Sequence, residues 1–183
     1  MNLKGKILLS PPNIKDTRFY KSVVYICLHN KDGALGVIIN KSLEERYYPS
    51  LLGELGINKL KLNNKILFNY GGPVESNRGF ILHSDDHLTK DSIPINKGVA
   101  LTSSFDILED ITKGNGPNIS MIALGYAGWG PGQLEKEISD NGWVSSVAST
   151  NFIFDENNNL KWNKAYRNLG IDPYYMTSNF GRA

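Results

Sequence analysis

The stretch that most constrains the fold is residues 119–143, ISMIALGYAGWGPGQLEKEISDNGW. Residues 119–124 form an apolar run, broken only by Ser120, between Pro117 and Gly125, the pattern of a strand buried on both faces. A glycine-rich turn follows, and a helix is expected from Pro131, with Gly130 as its N-cap and Gly142 in the left-handed position past its end. Trp129 and Leu134 have the spacing of a hydrophobic staple, and Gln133 is placed to reach back to the Gly130 N–H. Leu134 and Ile138 then share the inward face, which leaves Glu135, Lys136, Glu137 and Asp140 for the flanks and solvent.

A glycine-rich turn between a strand and a helix invites a phosphate-binding reading, because free backbone N–H groups and the helix dipole attract anions. The residues argue against it. A P-loop needs G-x-x-x-x-G-K-[ST], whereas Gly130 is followed by Pro131 and Gly132. A dinucleotide fingerprint begun at Gly128 and Gly130 would need glycine where Gln133 stands, and there is no G-x-S-x-G elbow. The glycines are read instead as tight backbone beneath Tyr126 and Trp129.

At 183 residues the chain fits one domain, 1–183, with enough surface to bury to hold together without disulfides or metals. Hydrophobic residues make up 40% and charged residues 21%, with mean hydropathy −0.30, a globular profile rather than a disordered or membrane one. The N-terminal MNLKGKILLSPP has too short an apolar core for a signal peptide, so a cytoplasmic protein is expected. The single cysteine, Cys27 in SVVYICLH, reads as a buried strand thiol. Twenty basic against eighteen acidic residues give a net charge of +2, too dilute for a dedicated nucleic-acid binder.

Along the chain, strands are expected at residues 6–9, 22–28 and 34–39, the last two as a hairpin across His29, Asn30, Lys31, Asp32 and Gly33. Residues 13–20 read as loop or helical turn, 49–55 as a short helix and 60–64 as polar connection. Strands at 66–68 and 79–83 flank a Gly71-Gly72-Pro73-Val74 turn, and a second hairpin spans 91–95 and 99–101. A helix capped by Ser103 and stopped by Gly114 follows, with Phe105, Leu108 and Ile111 on one face. After the central stretch come strands at 143–148 and 151–154, a helix at 160–169 and a loose tail from Pro173. Strands outnumber helices without βαβ alternation, so the fold class expected is α+β, a largely antiparallel sheet with peripheral short helices.

Candidate chemistry is thin. His83 and His87 in HSDDH have zinc-helix spacing but sit at a strand end and turn, so no metal site is assigned. Asp16, Ser22 and His29 contain the residue types of a triad, which only geometry can establish. Glu135 and Glu137 lie about 200° apart on a helix and cannot face one another. Tyr126, Trp129, Trp143 and Trp162 read as core rather than a stacking platform for bases.

GKILLSPP, SVVYI, HNKDGALGVIINK, GGPV, RGFILH, LGYAGWGPGQLEKEI with NGW, and WNKAYRNLGID occur in this order and spacing. Together they resemble the AlgH/YqgE-type family of bacterial proteins over residues 5–172, leaving the tail at 173–183. Ser42, where proline is usual, and Gly142, where alanine is common, are minor departures. The resemblance implies coiled, bifurcated β-sheets with peripheral helices, no established catalytic residues, no cofactor, and a transcriptional label from one branch. Two readings follow. One is a non-enzymatic binding or regulatory protein that meets a protein partner or small ligand, with no specific nucleic acid and no membrane. Its candidate loops carry His29, Asn30, Gly33 and Gly36; Gly71, Gly72, Pro73 and Arg78; and Tyr126, Trp129 and Gln133, all expected on one side of the domain. The other is an enzyme of unknown, hydrolytic reaction using His29, His83 or Ser103, which would require those groups to converge in a pocket with perturbed pKa values.

Overall fold

The computed structural model of the chain describes residues 2–47, 50, 51, 53, 68–154 and 157–176. Its first strands, β1 (Lys6–Leu9), β2 (Val23–Asn30) and β3 (Gly33–Ile38), are apolar at consecutive positions because both of their faces are covered. Ile7, Leu9, Val23, Tyr25 and Cys27 enter one core, while Leu8, Val24 and Ile26 enter another. The remaining strands are β4 (Phe68–Tyr70), β5 (Val74–His83), β6 (Ile93–Asn96), β7 (Val99–Thr102), β8 (Ser120–Trp129) and β9 (Val144–Val147). They hydrogen-bond in the order β6-β7-β5-β8-β3-β2-β1-β9, with β4 lying parallel to β8 and every other pairing antiparallel.

β8 is where the sheet divides. Over residues 120–124 it has β5 on one edge, joined over 122–124 by β4 on the other; over residues 127–129 it pairs with β3. Between the two halves Gly125 sits at φ +73°, and a Cβ there would lie 2.4 Å from the Gly72 carbonyl oxygen and 2.8 Å from that of Val74. Only glycine fits. The left-handed residue also shifts the phase of the strand: Met121 and Ala123 belong to the first core, but Ala127 and Trp129 belong to the third.

Among the described residues, four helices with complete bounds cover these cores. α1 (Phe105–Lys113) sets Ile107, Leu108 and Ile111 over Phe68, Ile81 and Ile122. α2 (Gln133–Ser139) sets Leu134 beside Trp129 and Trp143. α3 (Thr150–Phe154) and α4 (Asn158–Asn168) bring Phe152, Ile153, Trp162, Ala165 and Tyr166 to the largest core. α4 is pinned by its polar atoms as well. Lys161, fully buried, donates to the carbonyls of Ile39 and Ile153 at 3.2 and 2.8 Å, and Trp162 and Tyr166 both donate to the Ser10 carbonyl. Each large apolar side chain fully buried contributes about 1.5–3 kcal/mol, so packing holds a chain whose one thiol, Cys27, is itself buried and pushed up to about 12 by desolvation.

The α+β class and the curled, divided sheet agree with the expectation, and several local assignments are corrected. The glycine-rich turn after Leu124 is strand, because Gly125 lets β8 change phase without stopping. The GGPV turn is shorter than expected and β5 starts at Val74, with Glu75 left-handed at φ 48°. The strand expected at 151–154 is helix α3, started by Ser149, whose Oγ accepts from the Phe152 N–H; the three-residue apolar run at 152–154 does not distinguish the two. Ser104 rather than Ser103 caps α1. Pro131 and Gly132 form a turn, so α2 begins at Gln133 with Gly132 as N-cap, and the left-handed residue after it is Asn141 rather than Gly142. The tail is tied down as far as Met176, which packs on the main core. The helix expected at 49–55 lies outside the described residues except at 50, 51 and 53, and so do the connection at 60–64 and the strand start at 66–67.

Candidate functional site

α2 carries Gln133 and Glu137 at i and i+4, a polar stripe that Asn141, left-handed just past the helix, extends. That stripe forms a wall of a cleft of about 690 Å³, closed elsewhere by the 11–19 loop, Pro73, Val74, residues 127–129 and Trp143. At its base the Glu137 carboxylate accepts three N–H donors. Trp129 Nε1 and Trp143 Nε1 each reach Oε2 at 2.9 Å, and Gln133 Nε2 reaches Oε1 at 2.8 Å. Gln133 in turn accepts from the Gly130 N–H at 3.0 Å, the reach-back that its spacing predicts. The two indoles meet edge to face at 5.9 Å, and Phe19 stacks edge-on against Trp143 at 5.4 Å. A half-buried carboxylate thus sets the rings that line the cleft.

The facing loop is held by charge. Asp16 caps a 3₁₀ turn (Thr17–Phe19) and pairs with Arg18 at 2.7 Å, and the guanidinium holds the Asp16 carboxyl below its usual range. Lys41 donates to the Arg18 carbonyl at 2.7 Å, and desolvation lowers its pKa. Glu135 points the other way, about 200° around α2 from Gln133 and Glu137. There His29 Nδ1 accepts from the Leu3 N–H at 3.2 Å, which leaves its Nε2–H to donate to Glu135 at 2.9 Å. α2 therefore stands between His29 and the cleft.

Of the residues singled out in the sequence, Pro73, Trp129 and Gln133 line this cleft. Arg78 lines a second one of about 670 Å³ with Ser103, Ser104, Ile81 and Leu108; Pro73 borders both. Arg78 bonds Glu75 at 3.0 Å and lies over the Phe80 ring, which Tyr126 meets edge-on. Gly71 and Gly72 form the junction against Gly125 and Tyr126. Asn30 accepts from the Asp32 N–H, Gly33 abuts the Trp129 carbonyl and Gly36 packs under Val24 and Ile26, so these three and His29 adjoin β8 without lining the cleft. Glu137 is the residue that sequence reasoning misplaced. Its signal was the polar pair Gln133 and Glu137 at i and i+4, flanked by two tryptophans.

The groups of the enzymatic reading lie apart. His83 is fully buried; its Nδ1–H donates to the Ser84 carbonyl, Nε2 accepts from Thr102 Oγ1 at 2.8 Å, and burial lowers its pKa. Ser103 is at the second cleft and His29 behind α2. Ser22 is buried near Ser10, Asp16 pairs with Arg18, and no triad forms. His87 bonds Asp110, Asp85 accepts from the Gly98 N–H, and among the described residues no three His, Cys, Asp or Glu are grouped to hold a metal.

A curled sheet that divides at one strand, with a tryptophan-walled cleft beside the division, defines the class of protein. Residues 7–174 match the model of the AlgH-like family, and the chain belongs to that family. It is 44% identical to a UPF0301 protein of Beijerinckia indica, covering 99% of this chain and 92% of that one, and 43% identical to a UPF0301 protein of Paracoccus denitrificans, covering 100% and 97%. Among solved structures, the AlgH protein of Pseudomonas aeruginosa superposes with a TM-score of 0.80 at 33% identity over 99% of this chain and 96% of that one. A Corynebacterium diphtheriae protein shares the fold at a TM-score of 0.71 and 17% identity, covering 92% and 87%.

Proposed function

We propose that this protein is a non-enzymatic binding protein of a regulatory kind, acting in the cytoplasm, which takes its partner in the cleft between α2, the 11–19 loop and β8. The observation that carries the reading is the Glu137 network. All the strong polar contacts of that carboxylate go to the two indoles and Gln133, so it shapes a surface and is not poised to transfer a proton to a reactant. The hydrolytic alternative needs two or more of His29, His83 and Ser103 to converge, and they occupy three separate places. A part in transcriptional control would be indirect, because a net charge of +2 offers few phosphate contacts.

The test is affinity capture from the native cell with the wild-type protein and with Val74→Trp, which fills the cleft from its exposed wall. A partner lost with the variant supports the reading. One captured equally by both overturns the assignment to this cleft.

A further inference from the structure

We propose that what this cleft takes is an extended peptide segment, added as a strand to the free edge of β8 at residues 127–129; the inference rests on the binding reading above. The starting point is an inequality in pairing. Residues 122–124 of β8 are bonded on both edges, but residues 127–129 pair, among the described residues, only with β3, since the ladder to β5 ends at Val74 opposite Tyr126.

The direction of the unpaired groups follows from the register. Ala34 opposes Trp129, Leu35 opposes Gly128 and Gly36 opposes Ala127. A Cβ built on Gly33 would lie 2.2 Å from the Trp129 carbonyl oxygen, so that carbonyl faces β3. Antiparallel strands alternate the direction of their backbone groups. Ala127 therefore also faces β3, and the N–H and C=O of Gly128 face the opposite edge. Gly128 is exposed there and lines the cleft. It has no side chain to cover its backbone, and a Cβ on it would touch only the Tyr126 ring.

One N–H and one C=O on the same residue, at a strand edge, are the complement of another peptide backbone. The walls suit alternate side chains of such a strand: Val74, Phe19 and the indoles of Trp129 and Trp143 are apolar. The charges choose the polymer. Lys15 and Arg18 share the lining with Asp16 and Glu137, a mixed-sign surface that fits a peptide and offers no net attraction to a polyphosphate chain.

The probes are a phage-displayed library of linear dodecapeptides and a library of small-molecule fragments, screened against the whole ¹⁵N-labelled protein. Selected peptides are expected to slow hydrogen exchange at the Gly128 amide. They should bind about tenfold or more weakly to Gly128→Pro, which lacks the N–H. Should Gly128→Pro misfold, the amide exchange of the native protein decides alone. Peptides that shift the Trp129 and Trp143 indole signals while Gly128 exchange stays fast overturn strand addition but keep the cleft as a binding site. Fragments that bind at the indoles when no peptide is selected likewise overturn strand addition and keep the cleft. If neither library perturbs the indoles or Gly128, the strand-addition proposal and the cleft assignment both fall.

Discussion

The two halves of β8 share one strand and one apolar, glycine-spaced sequence, yet they are built for different ends. Residues 120–124 pair with β5, and 122–124 with β4 as well, with Met121 and Ala123 in one core and Ile122 and Leu124 in another. Residues 127–129 have one bonded edge, an exposed Gly128, and a tryptophan whose N–H is held by a carboxylate on the next helix. The first half is satisfied by the sheet itself. The second depends on α2 and on side-chain hydrogen bonds, and it leaves backbone facing a cleft. A fold that divides at a left-handed glycine thus obtains a rigid strand with an unfinished edge, the combination a recognition surface needs.

The strongest way to break this contrast is Trp129→Ala. The ring is 7% exposed and packs in the third core, so its loss should cost about 3–5 kcal/mol in chemical denaturation. An unchanged midpoint would mean that the second half is not braced by its indoles. Next comes a pair of glycine substitutions three residues apart. Gly125→Ala places a Cβ 2.4 Å from the Gly72 carbonyl oxygen at φ +73°, and should cost about 2–3 kcal/mol or more. Gly128→Ala, at an exposed strand position, should stay within about 0.5 kcal/mol. Equal effects would erase the distinction between hinge and edge.

The same contrast explains what could be read from the residues. The run at 119–124 announces a strand because both of its faces are buried, and β1 falls on residues 6–9 because Pro11 and Pro12 follow. The grouping of Trp129 with Leu134 and the Gln133 bond to the Gly130 N–H were legible as local spacings, although the helix starts two residues later than a staple requires. The second half of β8 was not. Its glycines look like a turn, and only the contact of Gly71 and Gly72 with Gly125, brought from some fifty residues away, shows that the chain goes straight on. Asn151 to Phe154 failed for a different reason, since two adjacent buried residues, Phe152 and Ile153, fit either period. The cleft was partly visible through Pro73, Trp129 and Gln133. Glu137 was hidden because an acidic residue on a short helix reads as solvent-facing until two distant indoles are placed against it.

Glu137→Gln is a subtler probe of the second half. An amide can keep one oxygen for the two indoles, but its NH₂ must then face the Gln133 NH₂, leaving a donor unpaired. A loss of about 1–3 kcal/mol is expected, together with a changed near-ultraviolet circular dichroism from Trp129 and Trp143. A native spectrum and full stability would show that the carboxylate does not set the rings.

The smallest effect belongs to the first half, where His83 on β5 pairs with Ser120 of β8. Burial lowers the His83 pKa from its ordinary 6.5, opposed by its own hydrogen bond to the Ser84 carbonyl and by Asp85 and Asp86, and assisted by His87. The folded state therefore keeps the ring neutral where the unfolded chain already takes a proton. With its folded pKa depressed, His83 costs no stability above pH 6.5 and destabilises progressively as pH falls from 6.5 to the folded value. Within that window the unfolded state binds up to one more proton, so this residue adds a slope of at most about 1.4 kcal/mol per pH unit. Denaturation of the native protein and of His83→Gln between about pH 7.5 and 5.5, the range in which histidine changes charge, should give a shallower fall for the variant. Glutamine retains an acceptor for Thr102 Oγ1 and cannot titrate, so a variant with an undiminished slope would show that the buried imidazole is not the group opposing acid.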